Sequence, residues 1–430
     1  MKPAQSKRNA FQRFVRTEAL GGLILMSCAV LALALANSPW AQFYTRLWEL
    51  RFAIGSSGHS LSLTLHQWIN DGLMALFFLL VGLEIKRELV AGELASPKKA
   101  ALPIAAAVGG MVVPAVLYWC FNTSGPAAQG WGIPMATDIA FALGALALIA
   151  PNAPVGLKVF LAALAIVDDM GAVLVIAIFY SGAIAWGALG AAALIIVLLA
   201  GLNVLGVTKL WPYIVAGLVL WFFVHESGIH ATIAGIALAM TIPTRTRINA
   251  SEFSQEARAL LDQFDRTETG DLLVLTSKGQ QETMFSLERA SEAATAPILR
   301  LEHGLHRLSA FVVMPLFAFA NAGVKIGGPI LHIGVALGVV AGLAIGKPLG
   351  ITAAAFLAVK SGIAKLPEDM RWRELHGAAW LAGIGFTMSL FIAMLAFHTP
   401  DIVDTAKVAI LVGSVIAGMV AAVVLKSAYR

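Results

Sequence analysis

The chain has 430 residues, 59% of them hydrophobic and 13% charged, with 30 Lys plus Arg against 25 Asp plus Glu. With a mean hydropathy of +0.81, this composition excludes a soluble globular or disordered chain and predicts an all-α polytopic membrane protein. The net charge of +5 does not read as nucleic-acid binding, because Lys and Arg collect in the gaps between apolar stretches, as cytoplasmic loops require.

The opening Met1-Lys-Pro-Ala-Gln-Ser-Lys-Arg8 leads into apolar sequence without a small-residue cleavage site and reads as an uncleaved first span. Twelve apolar segments follow, at about 17–36, 66–89, 99–121, 133–149, 155–180, 183–201, 209–224, 227–242, 301–323, 331–359, 375–397 and 403–427. An even number puts both termini on one side, and Lys2, Lys7, Arg8, Arg13 and Arg16 choose the cytoplasm. Lys86, Arg87, Lys98, Lys99, Lys158, Lys360 and Arg371 then fall inside, while the outer connections hold Arg46, Arg51, Lys325 and Lys407. Cys28 and Cys120 lie within apolar stretches and read as plain membrane residues rather than a disulfide.

Two stretches are not spans. Residues 51–63 alternate weakly around a Gly/Ser turn and read as an external β-hairpin or as an irregular loop. Residues 243–298, rich in Arg and Glu, read as a long cytoplasmic loop or partial helix inserted between segments eight and nine of a single membrane domain spanning 1–430. Two of the spans are interrupted. Segment four carries Gly132-Ile-Pro134-Met-Ala-Thr137-Asp138, and segment eleven carries Gly383-Ile-Gly385-Phe-Thr387-Met-Ser389. Each is the middle member of a group of three, segments 3–5 and 10–12, and such paired breaks point to a transport site built from broken helices at mid-membrane.

Asp168 and Asp169 stand side by side in the middle of the apolar run 160–178. A carboxylate at mid-depth costs roughly 2.5–3.5 kcal/mol, so an uncompensated pair costs on the order of 5–7 kcal/mol and reads as functional. Few other ionisable residues share that depth: Asp138, Lys347 in Gly346-Lys-Pro-Leu-Gly350, and Glu84 and Glu88 toward the inner end of segment two. Glu84 and Glu88 read equally as interface acids beside Lys86 and Arg87, and His230, which opens the apolar part of segment eight, as a core histidine. The acids make a site suited to a small hard cation, because hard carboxylate oxygens prefer such an ion to a soft transition metal. The same oxygens bind protons. If cation and proton compete for them, an alternating-access protein is an exchanger, with Lys347 pairing with Asp168 or Asp169 in one state and releasing it in another. Asp138 reads as a ligand or as a charge that balances helix ends. A proton-coupled carrier of an organic substrate and a passive channel are the alternatives. An intramembrane aspartyl protease fits less well, since its two acids belong on different helices.

Five stretches together, Ala136-Thr-Asp-Ile-Ala-Phe-Ala-Leu-Gly144, Ala163-Leu-Ala-Ile-Val-Asp-Asp-Met-Gly171, Pro315-Leu-Phe-Ala-Phe-Ala-Asn-Ala-Gly323, Gly346-Lys-Pro-Leu-Gly350 and Gly383-Ile-Gly-Phe-Thr-Met-Ser389, resemble the NhaA-type sodium/proton antiporters of bacterial inner membranes. The resemblance runs from about residue 15 to 425. Inverted repeats with broken helices are an established feature of that family, so on this point the breaks agree with a known architecture. The resemblance implies twelve transmembrane helices, segments 3–5 and 10–12 as inverted repeats, and segments four and eleven unwound and crossing. It implies Asp169 as the principal Na+ ligand and Asp168 as its partner, paired with Lys347 when empty or protonated. Thr137 and Asp138 would lie at the crossing, where Asp138 offsets helix N-termini and Lys347 offsets C-termini. Glu84, Glu88, Glu302, His303 and His306 resemble the family's cytoplasmic pH-responsive cluster, His230 matches a position linked to pH response, and the hairpin near 51–63 resembles the family's dimer contact. The implied activity is electrogenic export of Na+ or Li+ in exchange for H+, without enzymatic chemistry or cofactor, by a lipid-embedded homodimer with both termini cytoplasmic. The connection 243–298 is longer than the family's usual loop and leads into the pH cluster, so it bears on regulation rather than on transport chemistry.

Overall fold

The structure, a computed structural model, describes residues 3–56, 59–266, 278–326 and 332–429. Each of the twelve apolar segments contains helix among the described residues, as a chain in lipid needs to satisfy its backbone groups internally. Helix α1 (Pro3–Ala36) ends ahead of Pro39, and the chain turns through 113° into α2 (Ala41–Glu49), an amphipathic helix that buries Tyr44 and Trp48. Then β1 (Arg51–Ser56) pairs antiparallel with β2 (His59–Thr64), Arg51 opposite Thr64, so of the two readings of this stretch the hairpin is the one that forms. A capping box fixes the exit. Thr64 Oγ1 accepts from Gln67 N while Gln67 Oε1 accepts from Thr64 N. That starts α3 (Leu65–Ala91), which contains a π-helical turn at Trp68–Leu73.

Helix α4 (Pro97–Phe121) is followed by a 3-10 half-helix, Pro126–Met135, and by α5 (Ile139–Ile149), the two halves meeting at a 44° bend. Helix α6 (Val155–Phe179) carries the acid pair. Helix α7 (Trp186–Val204) buries only Ala192 and Leu199 and leaves Leu194, Val197 and Val204 exposed, a surface that fits hydrocarbon rather than water. Helices α8 (Trp211–Glu226) and α9 (Ile233–Thr241) are shorter. Within 243–298, α10 (Ala250–Arg266) and α11 (Lys278–Ala294) pack on each other, and no described residue of α10 is buried. Their root is tied by Arg247 N donating to Ala293 O at 2.9 Å and by an ion pair between Arg300 and Glu292 at 2.9 Å.

Helix α12 (Pro297–Asn321) and α13 (Ile333–Lys360) each contain a π-helical turn, that of α13 at Gly342–Gly346, directly before Lys347. Helices α14 (Trp372–Ala382) and α15 (Phe386–Ala396) are the halves of a second pair bent by 44°, and residues 386 to 393 of α15 are all buried, which puts this break at the centre of the bundle. Helix α16 (Pro400–Ala428) closes the chain. Lys407, counted with the outer connections although it falls within the segment 403–427, lies inside α16 with 8% exposure, seven residues past the Pro400 that opens the helix. Helices α4 and α13 touch through backbone at Gly109 and Gly350, where a Cβ on either would overlap the other's carbonyl oxygen.

Among the described residues seven helices are long and apolar enough to cross a membrane, and ten spans result if each bent pair counts as one. The protein is a multi-pass, all-α membrane protein, and among the described residues its one sheet is the two-stranded hairpin.

Candidate cation and proton site

The two breaks meet. Asp138 N donates to Ile384 O at 2.8 Å, joining the gap between the halves of segment four to the gap between α14 and α15. The Asp138 carboxylate then serves two helix N-termini at once. Its Oδ1 accepts from Phe141 N of α5 at 3.0 Å, and its Oδ2 accepts from Thr387 N at 3.2 Å and Thr387 Oγ1 at 2.5 Å at the start of α15. A carboxylate there satisfies backbone donors that have no intrahelical partner and opposes the positive ends of two helix dipoles.

Helix α6 delivers Asp168 and Asp169, 1% and 0% exposed, to this crossing. Asp168 Oδ2 accepts from Lys347 Nζ at 2.5 Å and from Thr137 Oγ1 at 2.5 Å, and Lys347 Nζ also donates to Met135 O. Thr137 Oγ1 lies 2.9 Å from Ala382 O as well. A hydroxyl has one proton, so Thr137 donates to one of these acceptors at a time. When Asp168 carries a proton it can donate to Thr137, which then donates to Ala382 O; when Asp168 is ionised, Thr137 turns to it. The geometry therefore accommodates both protonation states of Asp168.

Asp169 differs. Neither of its oxygens, nor Oδ1 of Asp168, has a hydrogen-bond partner among the described residues, and all three are buried. The charged groups that act on Asp169 are Asp168, Glu84, Asp138 and Lys347. Orphaned carboxylate oxygens in the interior are costly unless a proton or a cation occupies them, and three hard oxygens on neighbouring residues suit a small hard cation.

A cavity of about 750 Å³ leads to the crossing from the Arg87 end of the bundle, lined by Glu84, Arg87, Arg300, Glu302, His303 and His306, with Asp138 and Met388 farther in. Asp168 and Asp169 do not line it. Arg87 forks between Glu302 and Glu88, the latter at 3.1 Å, while Glu88 Oε2 accepts from Glu93 N at 2.9 Å. Glu84, Glu302, His303 and His306 thus share the cavity, and Glu88 joins them through Arg87 without lining it. His230 is not part of this group. Its Nε2 lies 4.0 Å from Asp71 Oδ1, and its ring packs on Phe391 at 5.2 Å.

Several functional atoms carried no assignment in the sequence. Thr387 lies in the Gly383–Ser389 motif, where a threonine just after a Gly-Ile-Gly break is a readable helix-start signal. Ser389, whose Oγ donates to Ile133 O at 2.8 Å, stood in the same motif. Met135 O, Ala382 O and Ile384 O are backbone atoms, which no reading of side-chain types nominates.

The sequence profile of the family described as Na+/H+ antiporter 1 matches residues 12–425. The chain belongs to this family. Relatives include a Na(+)/H(+) antiporter NhaA of Oleidesulfovibrio alaskensis, 49% identical over 95% of this chain and 91% of that protein. Na(+)/H(+) antiporter NhaA 2 of Helicobacter hepaticus is 47% identical over 98% of this chain and 96% of its own length. The solved structure of the sodium proton antiporter MjNhaP1 from Methanocaldococcus jannaschii matches with a TM-score of 0.44 at 12% identity, over 98% of this chain and 96% of that one. In this member of the Na+/H+ antiporter 1 family, Asp138 lines the cavity and the acid pair does not.

Proposed function

We propose that the protein is an electrogenic, pH-regulated antiporter that exports Na+ or Li+ in exchange for H+, serving sodium and pH homeostasis. The observation that carries the mechanism is the set of three buried, unpartnered oxygens on Asp168 and Asp169 beside the Lys347–Asp168 ion pair. In this reading Asp169 is the principal cation ligand and Asp168 its partner, held by Lys347 and Thr137 until a cation or proton replaces them. Asp138 keeps the two broken helices together, and Lys347 offsets the ends that Asp138 does not. One monovalent ion leaves as two protons enter, so each cycle moves net charge and the membrane potential drives export.

Twelve helices cross a bacterial inner membrane with both termini cytoplasmic, and segments 3–5 and 10–12 are inverted repeats in one membrane domain, with 243–298 as a cytoplasmic insertion. Glu84, Glu88, Glu302, His303 and His306 set the pH response at the cytoplasmic mouth, and His230 contributes from its separate position. The hairpin mediates a homodimer in the lipid. The reading is tested in sealed proteoliposomes with an acidic lumen and a fluorescent pH probe, adding Na+, Li+ or K+ across pH 6.5 to 9. Dequenching by Na+ and Li+ in the wild type and its loss in Asp169→Asn supports it; a folded, inserted protein silent at every pH refutes it.

A further inference from the structure

The half-helix Pro126–Met135 is wound as a 3-10 helix, whose own hydrogen bonds are poor, and four side chains from four other elements hold its carbonyls. Tyr118 Oη of α4 donates to Ala127 O at 2.7 Å and Tyr180 Oη, just past the last residue of α6, donates to Gln129 O at 2.7 Å. Farther in, Ser389 Oγ donates to Ile133 O at 2.8 Å and Lys347 Nζ to Met135 O. Glycines stand where the phenols arrive. A Cβ on Gly132 would come within 2.8 Å of the Tyr180 hydroxyl, and one on Gly130 would overlap that of Tyr118.

Tyr180 differs from the other donors because it caps the C-terminus of the helix that carries Asp168 and Asp169. A closed circuit results. From Asp168, α6 runs for roughly 18 Å to Tyr180 at about 1.5 Å per residue. The phenol reaches Gln129 O, about 12 Å of 3-10 helix leads from there to Met135 at about 2.0 Å per residue, and Lys347 bridges Met135 O back to Asp168. Tyr118 hangs the same half-helix from α4 and lies outside this circuit.

Resting on the antiport reading above, we propose that Tyr180 is a positioning residue for cation binding. Its hydroxyl sets the height at which the unwound chain presents Met135 O and Thr137 to Asp168, and so how firmly Lys347 competes with the cation. Opening the circuit at that corner weakens ion binding without slowing the cycle, and weakens Li+ more than Na+, because the smaller ion needs shorter oxygen contacts.

The test compares Tyr180→Phe and Tyr118→Phe in proteoliposomes, with half-saturating Na+ and Li+, maximal rate and thermal midpoint read for each. Both variants delete one phenol-to-carbonyl bond to the same half-helix. Tyr180→Phe is expected to raise KM roughly three- to tenfold, the scale of one neutral hydrogen bond, more for Li+ than for Na+, with maximal rate within twofold. Tyr118→Phe is expected to leave KM within twofold and to lower only the thermal midpoint. Should Tyr180→Phe fail to insert, Gly132→Ala, which crowds the phenol without deleting it, is expected to raise KM in the same direction. Unchanged KM with a lowered midpoint in Tyr180→Phe, or equal KM shifts in both tyrosine variants, overturns the inference. A wild type without exchange overturns the antiport reading and the inference together.

Discussion

Lys347→Met keeps an unbranched stem of similar length and removes the buried positive charge. At the observed 2.5 Å and an effective dielectric of about 20, the Lys347–Asp168 attraction is about 7 kcal/mol before desolvation is counted. Losing one partner of such a pair costs about 3–5 kcal/mol, because the other is left as an uncompensated buried charge. In the variant, Asp168 keeps Thr137 and faces Asp169 without a cation between them, and the strain is relieved by taking up a proton. In the unfolded chain an aspartate is ionised above about pH 4. The folded variant therefore holds a proton that its unfolded form lacks, and its stability falls as pH rises, by up to about 1.4 kcal/mol per pH unit relative to the wild type. Unfolding midpoints in detergent from pH 6 to 8.5 are to be compared for wild type, Lys347→Met, Asp168→Asn and the double variant. The deficit of Lys347→Met should widen with pH, and the double variant should recover most of it. A deficit independent of pH, or a double variant no more stable than Lys347→Met, would refute this account of the pair.

Asp169→Asn should lower Na+-driven exchange on the order of a hundredfold, since the variant lacks the anionic oxygens a hard cation needs, yet leave the unfolding midpoint unchanged or higher, because no hydrogen bond is lost with them. Thr387→Val removes a donor to Asp138 and should cost about 1–3 kcal/mol of stability, with Thr387→Ser restoring it. Competition between protons and Na+ for the same oxygens predicts that KM for Na+ falls about tenfold per unit rise in pH if one proton is displaced and about a hundredfold if two are. Sodium titrations at pH 7, 7.5 and 8 read that slope directly, and a KM insensitive to pH would exclude shared oxygens.

The segments were legible because lipid forces every spanning stretch into a helix, and the acid pair because ionised carboxylates in an apolar run carry a cost that function must explain. The hairpin is less legible. Its Gly-Ser-Ser-Gly turn is a weak signal and an isolated two-stranded hairpin is marginal in water; here the capping box at Thr64 and the bond from Trp68 Nε1 to Phe52 O, at 3.3 Å, support it from α3. The residues by themselves also left open whether Lys347 meets Asp168 or Asp169. Neighbours on a helix point about 100° apart, so the choice turns on the orientation of Lys347, and a π-helical turn at Gly342–Gly346 sits directly before it.

What the breaks do becomes visible only when both are assembled. A continuous helix spends its carbonyls and amides on itself and has nothing to offer at mid-depth. Interrupting segment four frees Met135 O and the Asp138 amide, and interrupting segment eleven frees Ala382 O and Ile384 O, at the depth where α6 brings its acids. Each of these groups has a partner from a different segment: Lys347 on Met135 O, the Asp138 amide on Ile384 O, and, when it is not turned to Asp168, Thr137 on Ala382 O. Asp138, Thr137 and Lys347 are therefore held in place by one another's partners, and a change in the protonation of Asp168 reaches both broken helices through two of them, Thr137 and Lys347. Asp169, which no group among the described residues holds, is on the proposed reading the member of the pair whose occupancy the transported ion decides.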